Sequence, residues 1–232
     1  GLVRCGHCVH IECFTKCRTF AVKFFGIEAD LVRFFAKLSI ELLDQFRKVG
    51  EQTLGYEILG REEDLPRLTK YQSIEGAIVA IGDNFVRSRM AARIAELCPD
   101  LCFVSAIHPK ATIARDVSVG EGTVIMAGVS VSPCCSIGRH CIINTNYSLD
   151  HDSSMEHFSS LAPRATTGGK CRIGEHSAIS IGAILIDGVQ VGEHTVIGAG
   201  SVVLRNIDPY KVAYGTPARV IQERKAGDRY LW

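Results

Sequence analysis

Residues 173–203 read IGEHSAISIGAILIDGVQVGEHTVIGAGSVV. An aliphatic residue returns at every sixth place, at Ile173, Ile179, Leu185, Val191, Ile197 and Val203. Neither the 3.6-residue period of an α-helix nor the two-residue alternation of a strand produces this spacing, whereas a hexapeptide parallel β-helix does. Read backwards, the same register takes in Thr167, Leu161, Met155, Leu149, Ile143, Ile137, Val131, Ile125, Val119, Ile113 and Ile107, and only Thr167 is neither aliphatic nor Met. Four places after each of these residues the side chain is small or medium-sized, with bulky exceptions only at Tyr147 and Ile207. Each hexad is expected to form one flat face of a triangular coil, its aliphatic residue pointing inward and its small residue fitting near the corner. Three hexads close a coil of about 18 residues, stacked on the next at the roughly 4.8 Å strand spacing. The seventeen hexads from Ile107 to Val203 contain no insertion and predict nearly six coils.

The rest of the composition is that of an ordinary globular protein. Its 232 residues, 47% of them apolar, can supply one large core or two small ones. With 26 basic and 25 acidic side chains there is no electrostatic footprint for nucleic acid or an anionic membrane, so an anionic ligand must be met locally. The most apolar stretch, residues 179–189, is broken by Asp187 and is far below the roughly 18 residues of a membrane span. No secretory signal is legible. The spacing of the ten cysteines demands no disulfide framework, and a reducing cytoplasm is the simpler expectation. Cys135, Cys141 and Cys171 fall at the small position of the hexad and are expected to be buried thiols. Cys5, Cys8, Cys13 and Cys17 approach a zinc knuckle, but the third ligand of such a site is normally His and the last gap is one residue short, so no metal is expected.

Leu149 to Phe158, LDHDSSMEHF, packs three acids and two histidines into ten residues. That density suits a metal site, a proton-transfer site or a solvated turn. The register discriminates among them: His151 and His157 are six apart, occupy equivalent places on different faces and point in different directions, which disfavours a shared metal ion. His176 and His194 are 18 apart and should stack on neighbouring coils as an exposed rung.

Upstream of the repeat, residues 76–82 (GAIVAIG) form a short apolar run bounded by glycines, as expected of a strand buried on both faces of a parallel sheet. Asp83 and Asn84 then cap a helix through about Leu97, with Val86, Met90, Ala91, Ile94 and Leu97 along one side. A ligand at the carboxyl end of that strand would meet Asp83, Asn84 and Arg87. Further upstream, Leu31, Phe34, Phe35, Leu38 and Leu42 recur at helical spacing.

Six segments stand in a specific order: AIGDNFVRSRM (80–90), FVSAIHPKATIA (103–114), INTNYSLDHD (143–152), LAPRATTGGKCRIGEHSAISIGAIL (161–185), VIGAGSVV (196–203) and YGTPARVI (214–221). Together they resemble the sialic acid O-acetyltransferase family of bacterial left-handed β-helix acyltransferases, which includes N-acetyltransferases acting on nucleotide-linked 4-amino sugars of the bacillosamine and perosamine pathways. The likeness runs from about residue 55 to residue 221. It implies a small Rossmann-type nucleotide-sugar domain before the β-helix, acetyl-CoA as acyl donor, and a homotrimer with active sites between neighbouring β-helices. The domains expected are an atypical segment over 1–36, a nucleotide-sugar domain over 37–104, the β-helix over 105–208 and a tail over 209–232.

By the same resemblance His151 is the general base and Asp150 the acid that orients it, with Asp152 as the runner-up partner, and Asn144 arranges the substrate. Asp83 and Asn84 belong to the nucleotide-sugar platform. The family begins with a strand and a glycine-rich Gly-His-Gly turn, for which this chain offers only Cys5-Gly6-His7-Cys8, with His7 as the candidate ligand. Family register also ends a strand at Leu42-Leu43-Asp44 with Asp44 meeting the nucleotide, against the helical spacing of the same region. Coenzyme A falls to Gly169, to Ala199 or Gly200, to Ser160 where relatives often carry a second histidine, and to Arg219 as a phosphate partner. Beside the N-acetyltransferase stand sugar O-acetylation, a metal-dependent hydratase on the same coil, and a non-catalytic remnant.

Overall fold

The structure, a computed structural model, describes residues 19–25, 39–44, 48–53, 56–72, 74 and 76–230. Its first part is a six-stranded sheet made of β1 (Thr19–Phe25), β2 (Ser39–Leu43), β3 (Gln52–Thr53), β4 (Tyr56–Gly60), β5 (Gly76–Ile81) and β6 (Cys102–Phe103), in the order β3-β4-β2-β1-β5-β6. All pairings are parallel except that of β3 with β4. Helices α1 (Leu65–Gln72) and α2 (Asn84–Leu97) complete this part. Every residue of β5 is buried, because a run without polar side chains can be covered on both faces. Leu65, Leu68, Met90, Ala91 and Ile94 pack with Ala77, Val79 and Ile81 in one core.

Two sequence expectations need correction here. Of the two readings of the segment ending at Leu42, the helical spacing fails over the described residues and the strand running into Asp44 holds: 39–43 is strand β2, hydrogen-bonded on one side to β1 and on the other to β4. Pairing on both sides satisfies its backbone more fully than local periodicity could indicate. In addition, the sheet's inner strand β1 lies upstream of residue 37, within the segment read as atypical.

The second part is a left-handed parallel β-helix. Seventeen two-residue strands, β7 (Ala106–Ile107) to β23 (Val202–Val203), match the seventeen hexads one for one. They form three parallel sheets whose partners are 18 residues apart, as in Val124↔Ile142, Val131↔Leu149 and Ile137↔Met155. The first face carries 106–107 and its successors, the second 112–113 and the third 118–119. A hairpin of β24 (Lys211–Gly215) and β25 (Ala218–Glu223) extends the first face. Beyond the first coil, where Ala111, Ile113 and Val117 are only partly buried, both the aliphatic and the small positions line the core, Cys135, Cys141 and Cys171 among them as free thiols. Two of the three irregularities of the repeat meet: the phenol of Tyr147, whose ionisation burial suppresses, lies against Thr167, a large side chain against a small one.

The corners turn on one left-handed residue per hexad, three places after the inward aliphatic. From residue 122 to residue 200 these are Gly122, Gly128, Cys134, His140, Asn146, Asp152, Phe158, Arg164, Lys170, His176, Gly182, Gly188, His194 and Gly200, with φ between 50° and 74°. A residue with a Cβ pays about 1 kcal/mol for this conformation, so its side chain usually has compensating contacts. At the corner between the third and first faces those contacts are rings. His140 stacks on Phe158 at 4.9 Å, Phe158 on His176 at 5.3 Å, His176 on His194 at 4.5 Å and His194 on Tyr210 at 5.0 Å. The expected exposed rung of His176 and His194 is therefore part of a partly covered ladder, with Phe85 of α2 packed against it.

Arg87 joins the two parts. It is fully buried, and its guanidinium donates to the carbonyls of Ile81 and Gly82 at the end of β5, to Asn84 Oδ1, and to the β-helix carbonyls of His140, Phe158 and Ser159. The hexads place Val124, Ile142 and Val202 on the outer side of the coil, yet Val124 and Ile142 on the first face are buried within the chain, and only Val202 on the second face stays partly exposed. The first face is covered by its own chain, which a hexad count cannot anticipate.

Candidate active site

His151 stands two residues after the inward Leu149, at the corner between the second and third faces. The left-handed turn at Asp152 (φ 58°) brings that carboxylate back onto the ring, and His151 Nδ1 lies 2.8 Å from Asp152 Oδ2. A carboxylate accepts, so Nδ1 is the donor and Nε2 keeps its lone pair for an incoming proton. The bond to Asp152, helped by the charge of Asp150, raises the imidazole above its ordinary pKa, while partial desolvation and Lys170 act in the opposite direction. About half of the side chain is exposed, which leaves the ring open to a substrate.

Of the two flanking acids, Asp150 makes a different contact. Its Oδ1 accepts the backbone N–H of His151 at 2.8 Å, which pulls its own pKa down. Asp150 braces the turn and Asp152 holds the ring. On the far side the imidazole rests on Gly169 of the next coil: a Cβ built on Gly169 would lie 2.6 Å from both Cε1 and Nε2. His157 sits at another corner, where its Nδ1 accepts the Arg139 N–H at 3.0 Å. Among the described residues no three His, Cys, Asp or Glu side chains converge as a metal site.

The remaining candidates are scattered. Asn144, half-buried, donates from Nδ2 to the Leu161 carbonyl at 3.2 Å. Gly169 N–H is already bonded to Asp187 Oδ1 at 2.8 Å. Ala199 and Gly200 form an exposed corner between the first and second faces, with Gly200 in the left-handed region. Arg219 is exposed and donates to the neighbouring Ala218 carbonyl. In the sheet, Asp44 follows the carboxyl end of β2 and Asp83 that of β5, the strands on either side of β1. Asp83 caps α2 by accepting the Val86 N–H at 2.9 Å. His7 and Cys5 to Cys17 lie outside the described residues.

Asn84 and Arg87 are not free to meet a ligand. Asn84 is buried, and its Nδ2 donates to the carbonyls of His176 and Ser177. The Asn84 backbone N–H goes to the Tyr230 hydroxyl at 3.1 Å, and Ser160 also bonds Tyr230. Sequence reasoning missed Tyr230, since a tail of mixed polarity carries no sign that it returns 146 residues to the start of α2. It also missed Asp187, whose role appears only when coils are stacked.

The seventeen-strand coil is a left-handed β-helix of hexapeptide repeats, with a carboxylate-held imidazole at one corner. Residues 170–205 match the family described as bacterial transferase hexapeptide (six repeats). The chain is similar to the GDP-perosamine N-acetyltransferase of Escherichia coli O157:H7, with 28% identity over 142 residues, covering 60% of this chain and 61% of that one. It thus spans about three-fifths of the length of that curated relative. Among solved structures it resembles a histidine-to-alanine mutant of the Caulobacter crescentus GDP-perosamine N-acetyltransferase in complex with CoA and GDP-perosamine, with a TM-score of 0.83, 29% identity and coverage of 89% of this chain and 97% of that one. It also resembles the acetyltransferase domain of PglB from Neisseria gonorrhoeae in complex with acetyl coenzyme A, with a TM-score of 0.80, 29% identity and coverage of 88% and 100%.

Proposed function

We propose that this chain transfers the acetyl group of acetyl-CoA to the amine of a nucleotide-linked amino sugar. The observation that carries the reading is the His151 dyad: Nδ1 held by Asp152 in a half-exposed ring whose Nε2 keeps its lone pair, on a fold whose solved relatives hold CoA and GDP-perosamine. The amine nitrogen attacks the thioester carbonyl, Nε2 accepts the amine proton, the C–S bond breaks, and the proton returns to the departing thiolate as the CoA thiol. No covalent enzyme intermediate is needed.

The parallel sheet is the Rossmann-type nucleotide platform, with Asp44 and Asp83 at its carboxyl edge. The working unit is a homotrimer. The second face, bounded by the His151 corner and the Ala199–Gly200 corner, exposes Ile184, Ile186 and Leu204, apolar surface suited to burial between copies. Arg219 and the Ala199–Gly200 turn serve coenzyme A, and Asn144 the substrate. We place the reaction in the cytoplasm, a reducing compartment suited to described cysteines that all carry free thiols.

The test is thiol release from acetyl-CoA in the presence of GDP- and UDP-linked amino sugars, with free sialic acid as the hydroxyl-bearing control. Turnover with a nucleotide-linked amine is expected. Acetylation of sialic acid alone would overturn the amine assignment, and a stable monomer by sedimentation at micromolar concentration would overturn the trimer.

A further inference from the structure

Gly168-Gly169 could be read as a flexible corner, but the backbone excludes that explanation. Neither glycine has a positive φ; the left-handed residue of this turn is Lys170 (φ 60°). Residue 169 also occupies the hexad place that bears a side chain everywhere else in the coil, from Pro109 through His151 and Asp187 to Arg205. What Gly169 supplies is space. The missing Cβ would fall 2.6 Å from Cε1 and Nε2 of His151, closer than real Cβ contacts come, and a tight 3.1 Å from Cδ2. Its backbone is also anchored, since Gly169 N–H donates to Asp187 Oδ1 at 2.8 Å and Gly169 O accepts from Gly188 N at 2.9 Å.

We propose that Gly169, anchored by Asp187, is a positioning residue for His151: its bare α-carbon seats the imidazole while Asp152 holds Nδ1. The inference rests on the reading of His151 as the base. An imidazole half in solvent with one hydrogen bond can still swing about that bond. A flat backbone surface beneath the Nε2 edge restricts the swing and fixes where Nε2 faces. This assigns Gly169 to the geometry of the base, because the amide that could have bound the cofactor is already taken by Asp187.

Gly169→Ala is the direct test. The ring is the outer end of a side chain able to move, so the coil should fold with an unchanged melting temperature while the imidazole is displaced. A displacement on the ångström scale should lower kcat about 10²-fold with the KM for acetyl-CoA unchanged. The second readout is NMR titration of the His151 imidazole, which should move in Gly169→Ala, because the ring's relation to Asp150, Asp152 and Lys170 changes. Asp187→Ala, which releases the anchor, should show the same signature at smaller amplitude. A raised KM for acetyl-CoA with kcat and the His151 titration both unchanged would overturn the proposal and return Gly169 to the cofactor. If the His151 titration moved while kcat held, and His151→Ala were fully active, the seat would stand and the assignment of His151 as base would fall.

Discussion

Replacing Arg87 with Met should separate the sheet from the coil without touching the catalytic corner. The wild-type guanidinium is fully buried and its six recorded acceptors are all neutral oxygens, so its charge is compensated by carbonyl dipoles. Burial already pulls its pKa down, a sign that desolvation opposes the charge. Met fills much of the same volume and recovers that desolvation, but it leaves buried carbonyls at His140, Phe158 and Ile81 without this donor. Breaking a buried charged network typically costs about 3–5 kcal/mol, and the recovered desolvation places Arg87→Met near the lower end. For a chain of this size about 1 kcal/mol moves the melting temperature by about 2–4 °C, so a fall of roughly 6–12 °C is expected. Differential scanning calorimetry of wild type and variant gives the number directly, with Arg87→Lys alongside. Lysine keeps the charge but lacks the fork that reaches both β5 and the coil, so it should recover little. A shift below about 2 °C for Arg87→Met would refute the reasoning that this residue is the joint.

Acid should weaken the fold through the ring ladder. Burial, followed by the charge of Arg87, pushes the His140 pKa down to about 3, and burial also lowers His176 and His194. The unfolded chain binds a proton at His140 below about pH 6.5 that the folded chain refuses until about pH 3, so stability declines as pH falls through that window, by on the order of 4 kcal/mol at its end. His140→Phe, which can keep the stack, should flatten the slope in urea titrations taken across that range; an unchanged slope would exclude His140 as its source. Asp152→Asn should shift the acid limb of kcat/KM to lower pH, towards free imidazole, since the bond to Asp152 is the main cause raising His151; a limb that stays in place would remove Asp152 as its partner. His151→Ala should reduce turnover by about 10²–10⁴-fold, whereas His157→Ala, which loses only a contact to the Arg139 backbone, should leave it nearly unchanged. Equal effects at the two histidines would contradict their separation onto different corners.

The hexad register was sufficient to place seventeen strands, the buried small residues and the separation of His151 from His157, because in a solenoid each residue's neighbours lie a fixed 18 positions away and local spacing is already tertiary information. The β5 strand and the capped helix after it were equally legible, since an apolar run followed by Asp83 carries its own boundaries. What sequence could not order was any choice among equals. Asp150 and Asp152 flank the same histidine, and only the left-handed turn at Asp152 decides which carboxylate reaches the ring. Asn84 and Arg87 read as ligand groups at the end of a strand, and only the docking of the sheet on the coil turns them into a joint. At 39–43 the helical spacing and the family register disagreed, and only two-sided parallel pairing with partners distant in sequence decided for the strand. Gly169 was visible as a glycine, but its purpose lay with His151 on the preceding coil, and that required the stack itself.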